Sequence, residues 1–212
     1  MQTNDSQIRS SNHLTVEALA KKHGCEVNQM GIVKDDKESI TNLLKTALQS
    51  SDIVVTTGGV SVGDYDFVKD VIIEDLRCEI LFQGANIKPG KPILFARKDN
   101  KFIIGLPGFA YSSTVTCILY VLPLIFKLKN SNESLQIVEA IIDESFPMKF
   151  DKTTFSACNV HYCNGEYHID FDGKRKGTSA ILTNMLGSPG LLMQDVGSQS
   201  LNKGDRVKVI LL

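Results

Sequence analysis

Six residues, DIVVTT (52–57), are β-branched and apolar, and they run directly into the glycines of TTGGVSVGDYD (56–66) and then into FVKDVIIEDL (67–76). A short run apolar on both faces belongs inside a sheet covered on both sides. The helical spacing that follows supplies one of those covers. The flanking segments repeat the alternation. LTVEALAKKHG (14–24) has helical spacing with Asn12 as a cap and a glycine stop, and CEVNQMGIV (25–33) reads as a strand. DDKESITNLLKTALQSS (35–51) reads as a second helix with acids in its first turn, where the helix dipole favours them. EILFQGANI (79–87), PILFAR (92–97) and FIIGL (102–106) read as strands, KDNK (98–101) as a tight turn, and SSTVTCILYVLPLIFKLK (112–129) as a long helix. Strands alternating with helices predict an α/β domain with a parallel sheet and right-handed crossovers.

KNSNES (129–134) breaks the pattern. Beyond it stand short strand-like runs, IVEAIID, TFSACNVHY, EYHIDF, SAILT, GLLMQ and DRVKVILL, between turn signals. The expectation is a two-part chain: residues 1–132 as the α/β domain and residues 133–212 as a small all-β barrel.

Charge narrows the function. With 23 basic and 24 acidic side chains the formal net charge is -1, which argues against broad binding to nucleic acid or anionic membrane. The apolar stretch CILYVLPLIF (117–126) is too short to span a bilayer and contains Pro123. Cysteines 25, 78, 117, 158 and 163 are odd in number and form no CxxC pair, so reduced thiols in the cytoplasm are expected.

The chemistry concentrates in three loops, each after a strand. In the first, Gly58, Gly59 and Gly63 let backbone approach an anion and Ser61 adds a hydroxyl. The spacing is not that of a dinucleotide fingerprint, and Asp64 and Tyr65 stand where a P-loop needs Lys and Ser or Thr. GVSVG (59–63) matches the nucleophile elbow, but Gly63 and Asp64 intervene before the helix and the downstream histidines, His161 and His168, lie in the other domain. Asp64 and Asp66 beside a bound oxyanion would repel it unless a divalent cation such as Mg²⁺ is shared. Capping of the following helix is the simpler role for the same aspartates. In the second loop, NIKPGKP (86–92), Lys88 and Lys91 flank a tight turn, and an anion between them would offset their repulsion; a solvated surface turn is the alternative. The third, GLPGFAYSS (105–113), brings Pro107 and Gly108 into another strand-to-helix turn. On a parallel sheet all three would meet at one edge. CNVHYC (158–163) makes a poor metal site, because Cys158 and His161 point to opposite faces of a strand.

TTGGVSVGDYDFVKDVI, NIKPGKPILFAR and IIGLPG before an apolar helix, with GIVKDD (31–36), together resemble the molybdopterin molybdenumtransferase family of molybdenum-cofactor assembly, whose relatives include the C-terminal domain of gephyrin. The similarity runs from about residue 7 to 129, and the β region fits the family's small barrel more loosely. The resemblance implies Mg²⁺-dependent insertion of molybdate into adenylylated molybdopterin with release of AMP. It implies acidic active-site roles for Asp36 and Asp66; Asp64 and Asp66 remain the candidates for the metal on the chemistry of the loop itself. Lys88 and Lys91 become lysines for the oxyanion, and Gly58, Gly59, Ser61, Gly63, Pro107 and Gly108 become contacts of the pterin substrate. Two departures stand out. LPGFA (106–110) replaces an LPGNP-like loop, and the family begins this domain with a strand and a T-G-D-E-like turn that lie before the start of this sequence. The resemblance therefore implies a C-terminal piece of a dimeric enzyme whose first sheet strand is missing, with a partner segment or neighbouring chain to fill the gap. A binding module that holds molybdopterin or a protein partner without turnover is the alternative.

Overall fold

The computed structural model describes residues 10–60, 67–146, 151–175 and 178–212. The N-terminal part contains helices α1 (Asn12–Lys22) and α2 (Lys37–Ser50), strand β1 (Ile53–Thr57), and helix α3 (Phe67–Asp70), which runs on through a π turn (Val71–Asp75). Strands β2 (Glu79–Gln83), β3 (Ile87–Lys88), β4 (Leu94–Lys98) and β5 (Lys101–Leu106) follow, then helix α4 (Ala110–Leu128). Ile40, Leu44, Ala47 and Leu48 recur at helical spacing on α2 and pack with Val54, Val71 and Ile72 on one side of the sheet. On the other side α4 buries Val115, Ile118, Val121 and Ile125 against Ile104 and Leu106. By length and composition α4 is apolar enough to cross a membrane, but it is largely buried inside the protein as a core helix. A π turn (Cys117–Val121) precedes Pro123, whose ring removes a backbone donor and breaks the regular ladder.

The sheet differs from the expected parallel one. Its order is β1-β5-β4-β2, with β1 parallel to β5 but β5 antiparallel to β4 and β4 antiparallel to β2. The cause lies in KDNK: only Asp99 and Asn100 separate β4 from β5, and Asp99 takes φ +54. A two-residue connection makes a hairpin, whereas parallel neighbours need a crossover of a dozen residues or more.

The CEVNQMGIV segment, expected to be a strand, is not one. A strand needs a neighbour to pair with, and among the described residues β1 pairs with β5 alone, leaving its other edge open. Between that edge and residues 25–34 lies a trough of about 1430 Å³, walled also by α1 and α2. Ile32 is 89% exposed on this segment, an apolar side chain with no sheet to cover it.

The C-terminal part is a closed barrel of β6 (Ile137–Ile142), β7 (Thr153–Cys163), β8 (Glu166–Asp170), β9 (Pro189–Gln194) and β10 (Arg206–Leu211), in the ring order β7-β8-β6-β10-β9 closed by β9 on β7. SAILT, read as a strand, instead leads into a 3₁₀ turn (Leu182–Met185). β3 joins the two parts: it runs parallel to β7, with Ile87 opposite Thr153 and Lys88 opposite Thr154. The main core is likewise shared, since Phe155, Ala157, Leu191 and Ile210 of the barrel pack into the cluster built on α4.

Candidate functional site

Gly58 and Gly59 adopt positive φ (+90 and +71), so the turn leaving β1 needs residues without a Cβ penalty. The Gly58 amide donates to the Leu106 carbonyl (2.9 Å), which ties this turn to the end of β5. Beneath it Gly105 has to be bare: a Cβ there would lie 2.2 Å from Cγ1 of the buried Val60. The Oγ1 of Thr56, also buried, has no hydrogen-bond partner among the described residues. Gly108 lies beside Gly58: a Cβ added at Gly108 would come to 3.7 Å from the Gly58 Cα. The structure thus brings the first and third loops together. Ser61, Gly63, Asp64 and Asp66 lie outside the described residues.

The loop of Pro107 and Gly108 is held from outside. Asn12 caps nothing: it is the first residue of α1, and its buried Nδ2 donates to the Gly108 carbonyl (2.8 Å). The Ser112 amide donates to the Ser179 carbonyl of the barrel (3.1 Å).

Lys88 sits on a different concavity from Gly58 and Gly59. Those glycines border the trough, whereas Lys88 lines a cleft of about 30 Å³ between β3, the start of α4 and the barrel. The same cleft is lined by Lys174, Arg175, Thr178 and Ser179. Lys88, Lys174 and Arg175 have no carboxylate partner among the described residues. Lys174 Nζ donates to the Leu186 carbonyl (2.7 Å). Arg175 is positioned through its backbone: buried Asn184 accepts its amide (2.9 Å) and donates to its carbonyl (2.8 Å). Tyr111 forms part of the cleft wall; its hydroxyl donates to the Phe155 carbonyl (2.9 Å), and burial pushes its ionisation far up. A volume of about 30 Å³ admits one or two water-sized groups. Three cationic residues, Lys88, Lys174 and Arg175, are among those that line it. Lys91 is exposed and lines neither concavity.

Lys174 and Arg175 were not singled out from the sequence. Their signal was the basic run GKRKG (173–177), and only the pairing of β3 with β7 brings it to Lys88.

Asp36 caps α2, its Oδ1 accepting the Ser39 amide at 2.8 Å. That hydrogen bond holds its carboxyl below the usual carboxylate range. A depressed folded value means the cap's contribution is fully present above the unfolded aspartate range and is lost as pH falls through the folded value. Protection of the Ser39 amide from exchange, relative to its intrinsic rate at each pH, is expected to fall in that acid window in the wild type, and in Asp36→Ala to be low at every pH. Protection at Ser39 that does not change with acid would remove the cap.

Among the described residues no group of three or more His, Cys, Asp or Glu could hold a metal. In CNVHYC, Cys158 is buried and its thiol is pushed up to about 12 by desolvation, while His161 pairs with Asp170 (2.6 Å).

An α/β domain is thus seamed to a five-stranded barrel, with a cleft lined by Lys88, Lys174 and Arg175 at the seam. Residues 2–127 match the family described as probable molybdopterin binding domain, and the chain belongs to that family. It is 31% identical over 208 residues to a molybdopterin molybdenumtransferase of Staphylococcus aureus, covering 98% of this chain and 49% of that protein. It is 30% identical over 211 residues to one from a Nostoc species, covering 97% and 48%. The chain therefore spans about half the length of these curated relatives. The fold is that of a molybdopterin biosynthesis moeA protein from Pyrococcus horikosii, with a TM-score of 0.80 at 24% identity over 100% of this chain and 50% of that one.

Proposed function

We propose that this chain carries the molybdate-insertion chemistry of molybdenum-cofactor biosynthesis, in which adenylylated molybdopterin receives molybdate and AMP is released. The observation that carries the reading is the seam cleft: Lys88, Lys174 and Arg175, three cations without carboxylate partners among the described residues, line one small space. In this reading they hold molybdate. Gly58, Gly59 and Gly108 offer bare backbone to the pterin and its phosphate, with Ser61 and Gly63 completing that loop, and Lys91 steers anions from the rim. Asp64 and Asp66 would hold Mg²⁺, which supplies charge neutralisation at the phosphates. Asp36 acts through α2, whose first turn it caps. The acceleration comes from fixed charge and placement, with no covalent nucleophile.

The open edge of β1 supports a partner role as well. An extended segment from a neighbouring chain, or from polypeptide beyond these residues, would pair with that edge inside the trough. Five free thiols suit a reducing, cytoplasmic setting. The same open edge favours a second reading, in which the chain binds molybdopterin and turns over only when the sheet is completed.

One assay separates the two: adenylylated molybdopterin, molybdate and Mg²⁺, with AMP measured. Molybdate-dependent AMP release is expected, and Asp66→Asn is expected to abolish it. Ligand binding without AMP would leave only the second reading, and no binding at all would end both.

A further inference from the structure

Phe109 stands in the chain between a residue beside the glycine turn and a residue that lines the cationic cleft, and itself lines neither concavity. On one side its neighbour Gly108 lies beside Gly58 of the glycine turn, where an added Cβ would come to 3.7 Å from the Gly58 Cα. On the other side Tyr111, two residues on, forms the wall of the cationic cleft, and Ser112 bonds to Ser179 at the cleft's rim. The backbone between is held on both flanks, by Asn12 at the Gly108 carbonyl and by the Ser113 amide donating to the Phe109 carbonyl (2.8 Å). Phe109 itself is extended (φ -69, ψ 130). The residue is 64% exposed, and no aromatic contact to its ring occurs among the described residues. A single exposed phenylalanine is ordinary on a protein surface. What is unusual is the position: a flat apolar face on a tethered backbone, between bare peptide groups and an oxyanion cleft.

We propose that Phe109 is a substrate-binding residue whose ring stacks on the fused heteroaromatic ring of a phosphorylated ligand, the ligand's anionic end being directed toward the cleft of Lys88. The inference rests on the function proposed above and adds a contact to that site. Stacking suits this ligand class because every such ring presents a π face, and a side chain on a tethered backbone has only its own two rotatable bonds to restrict on contact. Both the pterin and the adenine of the substrate have the required shape, so two probes distinguish them.

The test is calorimetric titration of the full chain with neopterin monophosphate and, separately, with AMP. Wild type, Phe109→Ala, Phe109→Leu and Phe109→Tyr are compared, with thermal midpoints confirming that each variant is folded. Removing the ring is expected to weaken binding of one probe about tenfold or more, the other probe being affected less, and the identity of the first names the stacked ring. Phe109→Leu is expected to behave like Phe109→Ala, because it keeps apolar volume without a π face, and Phe109→Tyr is expected to restore wild-type affinity. Wild-type affinity in both Phe109→Ala and Phe109→Leu would overturn the inference and leave the proposed function standing. Failure of the wild type to bind either probe would overturn both.

Discussion

Lys88→Ala is expected to reduce molybdate-dependent AMP release to background while the protein stays folded. The two effects separate for structural reasons. β3 is attached to β7 through backbone pairing opposite Thr154, which alanine preserves, and the Lys88 side chain is exposed. Its removal should change the thermal midpoint little, since surface substitutions of this kind stay within about 0.5 kcal/mol. The cleft, by contrast, loses one of the three cations that line it. A compact dianion taken from water relies on such charges, and hydrogen bonds to charged groups contribute about 1.5–3 kcal/mol each. Part of that loss falls on binding and part on the transition state, so molybdate affinity and the maximal rate should both drop. Lys88→Arg keeps the charge but not the length or the point geometry, and is expected to recover binding better than rate. The measurement is AMP release against molybdate concentration. Activity in Lys88→Ala within twofold of wild type would remove Lys88 from the site.

Much of the fold was legible because local rules and tertiary packing agreed. DIVVTT became β1, FVKDVIIEDL began its helix at Phe67, and the apolar run after Gly108 became the core helix α4. The failures have identifiable causes. KDNK was readable as a tight turn, and a two-residue hairpin already implies antiparallel neighbours, yet the βα alternation around it pointed to a parallel sheet. CEVNQMGIV carries strand composition, but a strand also requires a paired edge, and none adjoins it among the described residues. Asn12 had the residue type of a cap and serves as a tether across 96 positions of sequence, which no local rule anticipates. The loops after β1 and β5 do meet, at Gly58 and Gly108. The lysine turn went elsewhere, because the two residues of β3 leave the α/β sheet and pair with the barrel. This non-local step turns a KPGK turn and a distant basic run into one cationic cleft, and spacing along the chain contains no trace of it.

The same step makes Gly90 the position where fold and site are most tightly joined. Gly90 is buried at φ +108, a region that side chains with a Cβ rarely enter. A Cβ there would lie 2.4 Å from Cγ2 of Thr116 and 3.1 Å from Cδ1 of Ile87. Thr116 cannot turn aside: it is fully buried in α4, and its Oγ1 donates to the carbonyls of Ser112 (2.8 Å) and Ser113 (3.2 Å). Backbone strain of about 1–3 kcal/mol and overpacking of about 1–3 kcal/mol therefore add at one atom. Against a typical stability of about 5–15 kcal/mol, Gly90→Ala is expected to lower the thermal midpoint by about 5–15 °C. The displaced turn also carries Lys88, so the folded fraction should bind molybdate more weakly than wild type. Thr116→Ser removes the opposing methyl and keeps the hydroxyl. In the Gly90→Ala background it is expected to return the overpacking part of the loss and leave the strain part, a coupling that a double-mutant cycle measures. A Gly90→Ala protein with an unchanged midpoint, or a Thr116→Ser change that adds to the damage instead of relieving it, would show that the turn does not press on α4 and that Lys88 is not held in the cleft by this contact.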